Sequence, residues 1–196
     1  MKLREFLAPE RAIVPLSARS LQDAAAQLLE RLVSARGVLD ATKLRKRVAE
    51  SAGDDVVAMG DRAFLLHHRT DAVGQLLVTL GVSREPICAR IGDEGQERCA
   101  RIVLLVVTPP RHAARYLQVV GAFARLLRKP DSLTAVHEAA DAESLVELES
   151  FTGYALPEQL TVRDVMTDHP RTVHADTPLK EAARTIVRTG LGALPV

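Results

Sequence analysis

One stretch of the sequence constrains the fold more than any other: RIVLLVVTPP, at residues 101–110. After the first arginine, its Ile, Val and Leu residues form an unbroken apolar run instead of alternating with polar residues. A strand of this pattern is buried on both faces, as in the centre of an α/β sheet, and the proline pair that follows ends it. The rest of the chain must therefore provide elements that cover both faces of this strand.

Several helices are predicted that could cover the two faces of this strand. From Ser20 to about Ala35 the apolar residues recur at helical spacing, Ser20 and Asp23 form a start signal, and Gly37 ends the pattern. Further helices are predicted over 41–51, 111–129, 131–140 and 141–150, and further strands over 63–67 and 75–82. Residues 1–150 therefore predict one α/β domain in which helices surround buried strands.

Composition and charge exclude some classes of function. The 196 residues carry a formal net charge of +1, so no global field favours nucleic acid or an anionic membrane as a partner. No apolar run approaches the ~18 residues of a membrane span, and the N-terminus lacks the apolar centre of a signal peptide. We therefore expect a cytoplasmic protein without membrane insertion. In that compartment Cys88 and Cys99, which lack metal-ligand spacing, are expected to be reduced thiols.

The composition changes after the first domain. Glycine and proline interrupt the helical pattern and predict a linker over 151–159. In 160–196 a helical turn (VRDVM) precedes an extended stretch (RTVH), a helix from Leu179 that Gly190 ends, and a strand opened by ALPV. Because an apolar strand at the end of a chain leaves an unpaired edge, we expect further residues or another chain to complete this unit.

Two adjacent histidines close a short apolar run in FLLHHRTDAV, residues 64–73. One interpretation is that both occupy a strand end, with His68 as an exposed neighbour because adjacent strand residues face opposite ways. By the same geometry the pair is a poor metal site, and no cysteine or carboxylate cluster accompanies it. The other interpretation is that one imidazole is a nucleophile, since an ordinary histidine pKa of about 6.5 leaves a neutral ring with a free lone pair.

With its surroundings, this stretch resembles enzyme IIA of the fructose/mannitol/nitrogen-regulatory class (type 2) of the bacterial phosphotransferase system. Members carry a Gly-x-Gly-apolar-Ala-apolar-Pro-His segment that leads into a strand, and GDRAFLLH at 60–67 occupies that place. The resemblance continues through VGQLLVTLGVSREPI, RIVLLVVTPP and the helical segment that starts at YLQVV, and so covers residues 1–150. It implies an α/β sandwich in which helices flank a mixed β-sheet.

By this register His67 is the phosphorylated histidine. Leu66 stands where the family has proline, and Tyr116 stands where it often has a second histidine. Arg69 is two residues beyond His67, on the same side of a continuing strand, where its guanidinium fork can pair with phosphoryl oxygens. The alternative for Arg69 is a surface ion pair with Asp71, which is worth little.

Three more residues receive supporting roles. Thr70 offers a hydroxyl donor to the phosphoryl group. His112 is four residues before Tyr116 at a helix start, so both face the same way and either can replace the second histidine; alternatively they form only a helix face. Arg47 is the nearest candidate for an arginine that the family carries upstream of the glycine turn.

The C-terminal stretch is similar to the first part of a CBS (cystathionine-β-synthase) domain. TVRDVMT, RTVHADTPLKEAA and GALPV follow that family's order, so 160–196 is expected to be a truncated CBS α/β half-repeat. In CBS pairs adenine nucleotides bind between two repeats, and a ribose motif lies late in the repeat, beyond the matched portion. The resemblance thus implies an adenine nucleotide only at a completed pair, and a homodimer through this region as one way to complete it.

Together the resemblances imply a phosphoryl-carrier and regulatory protein. It would accept phosphate on His67 from a histidine phosphocarrier (HPr-type), without a cofactor in the IIA-like domain, and signal to an unknown downstream protein. If the site is intact, the domain is a phosphohistidine-relay phosphotransferase. The alternative is a phosphorylation-deficient interaction module regulated through ligand binding or dimerisation of the CBS region. A third hypothesis is a metal or acid-base enzyme at the histidine pair.

Overall fold

The apolar run at 101–110 lies in the central strand of a five-stranded sheet formed by the described residues. The computed structural model describes residues 1–50, 56–91, 96–157, 161, 166, 169–189 and 191–196. The chain divides into two units, Met1–Leu160 and Thr161–Val196.

In the first unit, short strands and long strands share one sheet. The strands are β1 (Ala12–Ile13), β2 (Val56–Ala58), β3 (Ala63–Arg69), β4 (Leu77–Ile91) and β5 (Gln96–Thr108). The helices are α1 (Leu21–Ser34), α2 (Ala41–Glu50), α3 (Ala113–Arg128), α4 (Pro130–Glu138), α5 (Ala142–Val146) and α6 (Glu149–Thr152). Two 3-10 turns, Leu3–Phe6 and Pro9–Arg11, precede β1.

The sheet is mixed, as predicted. Its strands run in the order β1-β4-β5-β3-β2. β1 is parallel to β4 and β3 is parallel to β5, whereas β2 with β3 and β4 with β5 are antiparallel. β5 therefore has a partner on each edge, and its residues from Ile102 to Thr108 are buried. This is the environment that its continuous apolar sequence indicates.

Alternate residues of β5 enter two different cores. Leu104 and Val106 face a core that β5 shares with α3, α4, α5 and α6, here named the α3-side core. Leu105 and Val107 face a second core that includes residues of α1 and α2, here named the α1-side core. Helices thus cover both faces of the sheet, so a side chain on either face of a central strand is removed from water.

The capping signal of α1 works as predicted. Ser20 is the N-cap, and its hydroxyl accepts a hydrogen bond from the Asp23 N–H at 3.1 Å. The Asp23 carboxylate accepts one from the Arg19 N–H at 3.0 Å. The first bond satisfies a donor that the first helical turn leaves unpaired, and the second fixes the residue before the N-cap. After the helix ends, Gly37 takes a φ of 115°, a left-handed conformation that favours glycine.

Four elements differ from the prediction. β1 and β2 are not predicted because strands of two or three residues show no periodicity. β4 continues to Ile91, past a register shift between Val82 and Ile87 where the ladder accommodates Pro86. The single helix predicted over 141–150 is two short helices, because Leu148 between α5 and α6 has a φ of −52° and a ψ of 134°, which are not helical.

The first half of the predicted linker, 151–159, packs on the first unit. Phe151 and Leu156 are buried in the α3-side core. The Leu156 N–H donates to the Met1 carbonyl oxygen at 2.9 Å, and the Gln118 side-chain amide donates to the Pro157 carbonyl oxygen at 2.9 Å. The break in helical pattern is real, but the apolar residues beside it keep this segment in the domain.

The second unit contains the predicted helix, α7 (Leu179–Thr189). The Val173 N–H donates to the Pro195 carbonyl oxygen at 3.0 Å, which joins the RTVH stretch to the C-terminal segment. The strand predicted at ALPV is not formed in residues 191–196. The helical turn predicted at VRDVM lies outside the described residues except for Met166.

The two cysteines are paired, contrary to the expectation of reduced thiols. The antiparallel ladder of β4 and β5 places Cys88 directly opposite Cys99, with their Cα atoms 4.0 Å apart, and the side chains form a disulfide. The expectation is wrong because a sequence separation of 11 residues does not reveal register. Once the hairpin forms, the register decides the pairing.

Replacing Cys88 with serine is expected to lower the free energy of unfolding by about 2–3 kcal/mol, because the cross-link no longer restricts the unfolded chain. Chemical denaturation followed by circular dichroism measures this difference. The matched variant C99S should lose the same amount, and wild-type protein in dithiothreitol should resemble both. If wild type without reductant is no more stable than C88S, the disulfide does not stabilise the fold.

Candidate functional site

The two histidines of β3 lie on opposite faces of the sheet. Leu65 packs in the α3-side core and Leu66 in the α1-side core, so strand alternation turns His67 towards α3 and His68 towards α1 and α2. His67 is half-buried, whereas His68 is only 4% exposed. The expectation that His68 is exposed is wrong because helices cover its face of the sheet as well.

A tyrosine covers the ring of His67. Tyr116 lies in the first turn of α3, and the centroids of the two rings are 3.8 Å apart with 20° between their planes. Stacked aromatic pairs contribute about 0.5–1.5 kcal/mol beyond the area they bury. The stack restricts the tilt of the imidazole. The structure thus brings together two of the residues that the sequence nominates.

A third site residue, Thr108, is missed by the sequence analysis. It is the last residue of β5, only 1% exposed, and its Oγ1 lies 3.5 Å from His67 Nε2. The parallel ladder pairs His67 with Val106 and Arg69 with Thr108, so the carboxyl ends of β3 and β5 meet at one edge. A polar residue that ends a buried apolar run, at the end where neighbouring parallel strands finish, is the signal that identifies it.

Two predicted residues lie beside this pair at the surface. Arg69 ends β3 and is exposed, and because the strand continues to it, Arg69 is on the same face as His67, as predicted. His112 is the exposed N-cap residue of α3, and its carbonyl oxygen accepts from the Tyr116 N–H at 3.1 Å. His112 is thus one helical turn from the tyrosine that stacks on His67.

Thr70 shapes the turn after β3. Its side chain is buried, and its Oγ1 accepts a hydrogen bond from the Ala72 N–H at 3.1 Å. Its own N–H donates to the Thr108 carbonyl oxygen at 2.9 Å. These bonds give Thr70 a role in holding the ends of β3 and β5 together; a donor role towards a phosphoryl group stays a prediction.

An ion pair joins the loop after β3 to α2. Lys43 Nζ lies 2.6 Å from Asp71 Oδ1, and this hydrogen bond lowers the pKa of the Asp71 carboxyl below its ordinary value. The alternative pairing of Asp71 with Arg69 is therefore replaced by one with Lys43. Arg47 lies on the same helix, whose Leu44 packs in the α1-side core, on the face of the sheet opposite His67. Its supporting role stays a prediction.

Within the described residues, no group of three or more His, Cys, Asp or Glu residues is placed to hold a metal ion. No helix in this part of the chain is long and apolar enough to cross a bilayer. The remaining chemistry at the edge of the sheet is that of one stacked imidazole, a hydroxyl and a nearby exposed guanidinium.

Comparison with known proteins identifies the family of this domain. The family model described as "Phosphoenolpyruvate-dependent sugar phosphotransferase system, EIIA 2" matches residues 5–150. The chain belongs to the EIIA 2 family. The resemblance drawn from the GDRAFLLH segment is therefore confirmed. A model of the CBS domain also matches residues 162–196 of this EIIA 2 protein, and no curated protein matches the sequence.

Solved structures share the fold of this EIIA 2 domain. Nitrogen regulatory protein IIA-Ntr from Neisseria meningitidis has a TM-score of 0.62 and 14% identity, over 74% of this chain and 96% of that chain. IIA mannitol from Escherichia coli has a TM-score of 0.58 and 17% identity, over 72% and 97%. Enzyme IIAMtl in complex with phosphorylated enzyme IIBMtl, also from Escherichia coli, has a TM-score of 0.58 and 16% identity, over 75% and 97%. At these identities the likeness establishes the fold.

Replacing Tyr116 with alanine is expected to release the His67 ring and to lower the free energy of unfolding by about 1–3 kcal/mol, from the lost stack and lost burial. The specific readout is NMR: the ring protons of His67 lose the ring-current shift that Tyr116 imposes. Y116F should keep that shift because it keeps the ring. L117A, on the exposed neighbour of Tyr116, is the control for changes in α3. A His67 spectrum that is identical in wild type and Y116A would contradict the stack.

Proposed function

We propose that this protein is a phosphoryl carrier of the phosphotransferase system and that His67 is its phosphoacceptor. The donor is a histidine phosphocarrier (HPr-type). A neutral imidazole nitrogen attacks the phosphorus of the donor's phosphohistidine, the donor's P–N bond breaks, and its electron pair returns to the donor ring. Because both states are phosphoramidates, the transfer changes free energy little. The protein's task is then to position the ring and to neutralise charge on the phosphoryl oxygens.

One observation carries this proposal: within a domain of the EIIA 2 family, His67 sits at the carboxyl end of β3 with its ring held against Tyr116. A ring held in one orientation loses little freedom when it enters the transition state. Arg69, exposed on the same face, is placed to pair with phosphoryl oxygens through its guanidinium fork. The chemistry uses no cofactor.

We infer a regulatory target for this carrier in the cytoplasm, because a CBS-like segment is joined to the phosphoryl domain. Ligand binding or dimerisation of this segment would be a second signal, combined with phosphorylation in one protein. A nitrogen-regulatory role belongs to this proposal, and the downstream protein is identified only by its ability to distinguish phosphorylated from unphosphorylated His67.

Phosphate transfer tests the proposal. The protein is incubated with enzyme I, an HPr-type phosphocarrier and phosphoenolpyruvate, and intact mass spectrometry follows the addition of one phosphoryl group. Wild type and H68A should gain a label that acid removes and base does not, and H67A should gain none. His68 is the matched control because it is the adjacent histidine on the opposite face of the sheet.

Two results would change the assignment. A label lost in H68A and kept in H67A would move the acceptor to the α1 side of the sheet. No label on wild type with several phosphocarriers would reject the carrier function. The second candidate function, a phosphorylation-deficient interaction module, would then be preferred. It is favoured by Leu66, which is buried in the α1-side core so that β3 runs as a regular ladder through the site.

For the CBS-like unit we propose a homodimer, and we propose an adenine nucleotide only at a completed pair of repeats that includes the ribose motif beyond the matched portion. The support is α7, in which no residue is buried and the apolar Leu179 and Val187 are 85% and 66% exposed. Apolar side chains in this arrangement on an amphipathic helix are typical of a face that another element covers.

Replacing Val187 with glutamate should therefore halve the molar mass measured by light scattering after size exclusion, because a charge cannot be buried in the dimer. E181K, on the polar face of α7, is the control and should stay dimeric. A monomeric wild type would reject this proposal.

A further inference from the structure

The hairpin of β4 and β5 extends beyond the rest of the sheet. Its outer part, residues 87–91 paired with residues 96–100, is here named the ribbon. β1 pairs with β4 only before Val82, and the ladder of β3 with β5 begins at Ile102. Within the described part of the chain, neither segment of the ribbon therefore has a third strand beside it.

Packing supports this ribbon on one face only. A pair of strands without further partners is marginally stable in water, and a register shift separates the ribbon from the main ladder. Ile87 is buried in the α1-side core, but Ala89 and Ile91, which pack against the same core, are only half-buried. The disulfide between Cys88 and Cys99 is the covalent link across the ribbon. Its presence therefore weighs heavily in whether the two segments stay paired.

The disulfide lies on the other face of the ribbon, towards solvent. Strand alternation turns Cys88 away from the face that carries Ile87 and Ala89. Cys88 is exposed and Cys99 is half-buried, so thiols in solution can reach the bond. In the cytoplasm proposed above, thiol reductants keep most cysteines reduced, and the disulfides found there are mainly transient, catalytic or redox-sensing.

The ribbon is far from the candidate site along the sheet. His67 pairs with Val106 near the carboxyl end of β5, whereas Cys99 lies in the first part of that strand. At about 3.3 Å per residue, roughly 23 Å of β5 separates Cys99 from Val106. A change confined to the ribbon therefore leaves the ladder beside His67 in place, and the ribbon can carry a signal that does not depend on phosphorylation.

We propose that Cys88 and Cys99 form a reversible thiol–disulfide site whose state decides whether the ribbon is closed or open. A thiolate of a dithiol reductant attacks Sγ of the exposed Cys88, the S–S bond breaks, and Cys99 leaves as a thiolate that takes a proton from water. The second thiolate of the reductant then displaces Cys88, which is protonated in turn. The reductant becomes a disulfide, and two electrons have passed to the protein. A small-molecule disulfide such as oxidised glutathione reverses the reaction.

The test compares the oxidised and reduced states of the full chain without denaturant. Buffers that contain reduced and oxidised glutathione at a series of ratios set the state, a maleimide traps the free thiols, and intact mass spectrometry counts them. Hydrogen–deuterium exchange then measures the opening of the ribbon in each state. The amides of residues 102–108, in the same strand beyond the ribbon, are the internal control.

The disulfide is expected to form and break within the glutathione ratios of a cytosol. In the reduced state the amides of residues 87–91 and 96–100 should exchange roughly 10–100-fold faster, because the open ribbon is no longer restricted by the cross-link. Residues 102–108 should keep their rates. The double variant C88S/C99S should exchange like reduced wild type in every buffer. If the double variant does not fold, the two states of wild type decide the result.

Single variants test which sulfur atom is attacked. C99S leaves the exposed Cys88, and C88S leaves the half-buried Cys99. With oxidised glutathione, C99S should gain the mass of one glutathione about 10-fold faster than C88S, because access to the remaining thiol controls the reaction. Equal rates would contradict the assignment of Cys88 as the point of attack.

Two results would overturn the proposal. A disulfide that is reduced only when the whole domain unfolds, or that stays intact at every cytosolic glutathione ratio, would be a structural cross-link. Equal exchange of the ribbon in both states would show that the chemistry does not move the backbone. Neither result bears on the carrier function, because neither measurement uses phosphate.

Discussion

The parallel pairing of β3 with β5 is the constraint on which the rest of the structure depends. Seven consecutive register pairs, from Ala63 with Ile102 to Arg69 with Thr108, align the ends of the two strands. Because both strands finish at the same edge, the side chains of His67 and Thr108 meet there although 41 residues separate them. β5 can lie at the centre of the sheet because its apolar residues pack alternately into the two cores. A polar residue within the run would cost one of those cores its packing.

The two adjacent histidines differ in exposure although helices cover both faces of the sheet. In a sheet with one solvated face, alternation would send one histidine to the core and the other to water. Here each histidine meets a helical layer. On the α3 side, His67 is half-buried beside the start of α3, where the ring of Tyr116 covers it. On the α1 side, His68 is only 4% exposed although it lies one residue nearer the end of the strand. The face, and not the position along the strand, therefore makes one imidazole half-accessible.

The sequence predicts best what short-range physics determines. The unbroken apolar run of β5 and the capped, periodic pattern of α1 each carry their own signal, and both elements form where predicted. Contacts that depend on strand register cannot be read from the sequence. The Cys88–Cys99 pairing, the burial of His68 and the contact of Thr108 with His67 each follow from which strand lies beside which. The resemblance placed His67 and Tyr116 at one site because it carried register information that periodicity lacks.

The two departures of the site from the family pattern act on its geometry in the same direction. Leu66 retains a backbone N–H, which proline lacks, so the ladder of β3 and β5 continues without a break to Arg69. Tyr116 supplies a larger flat surface than a histidine and no second imidazole. Both changes make the surroundings of His67 more rigid and more apolar. A rigid, partly desolvated imidazole accepts phosphate faster when its bare nitrogen already points at the donor, and more slowly when it does not. The orientation of the His67 ring therefore matters more in this protein than it would in a looser site.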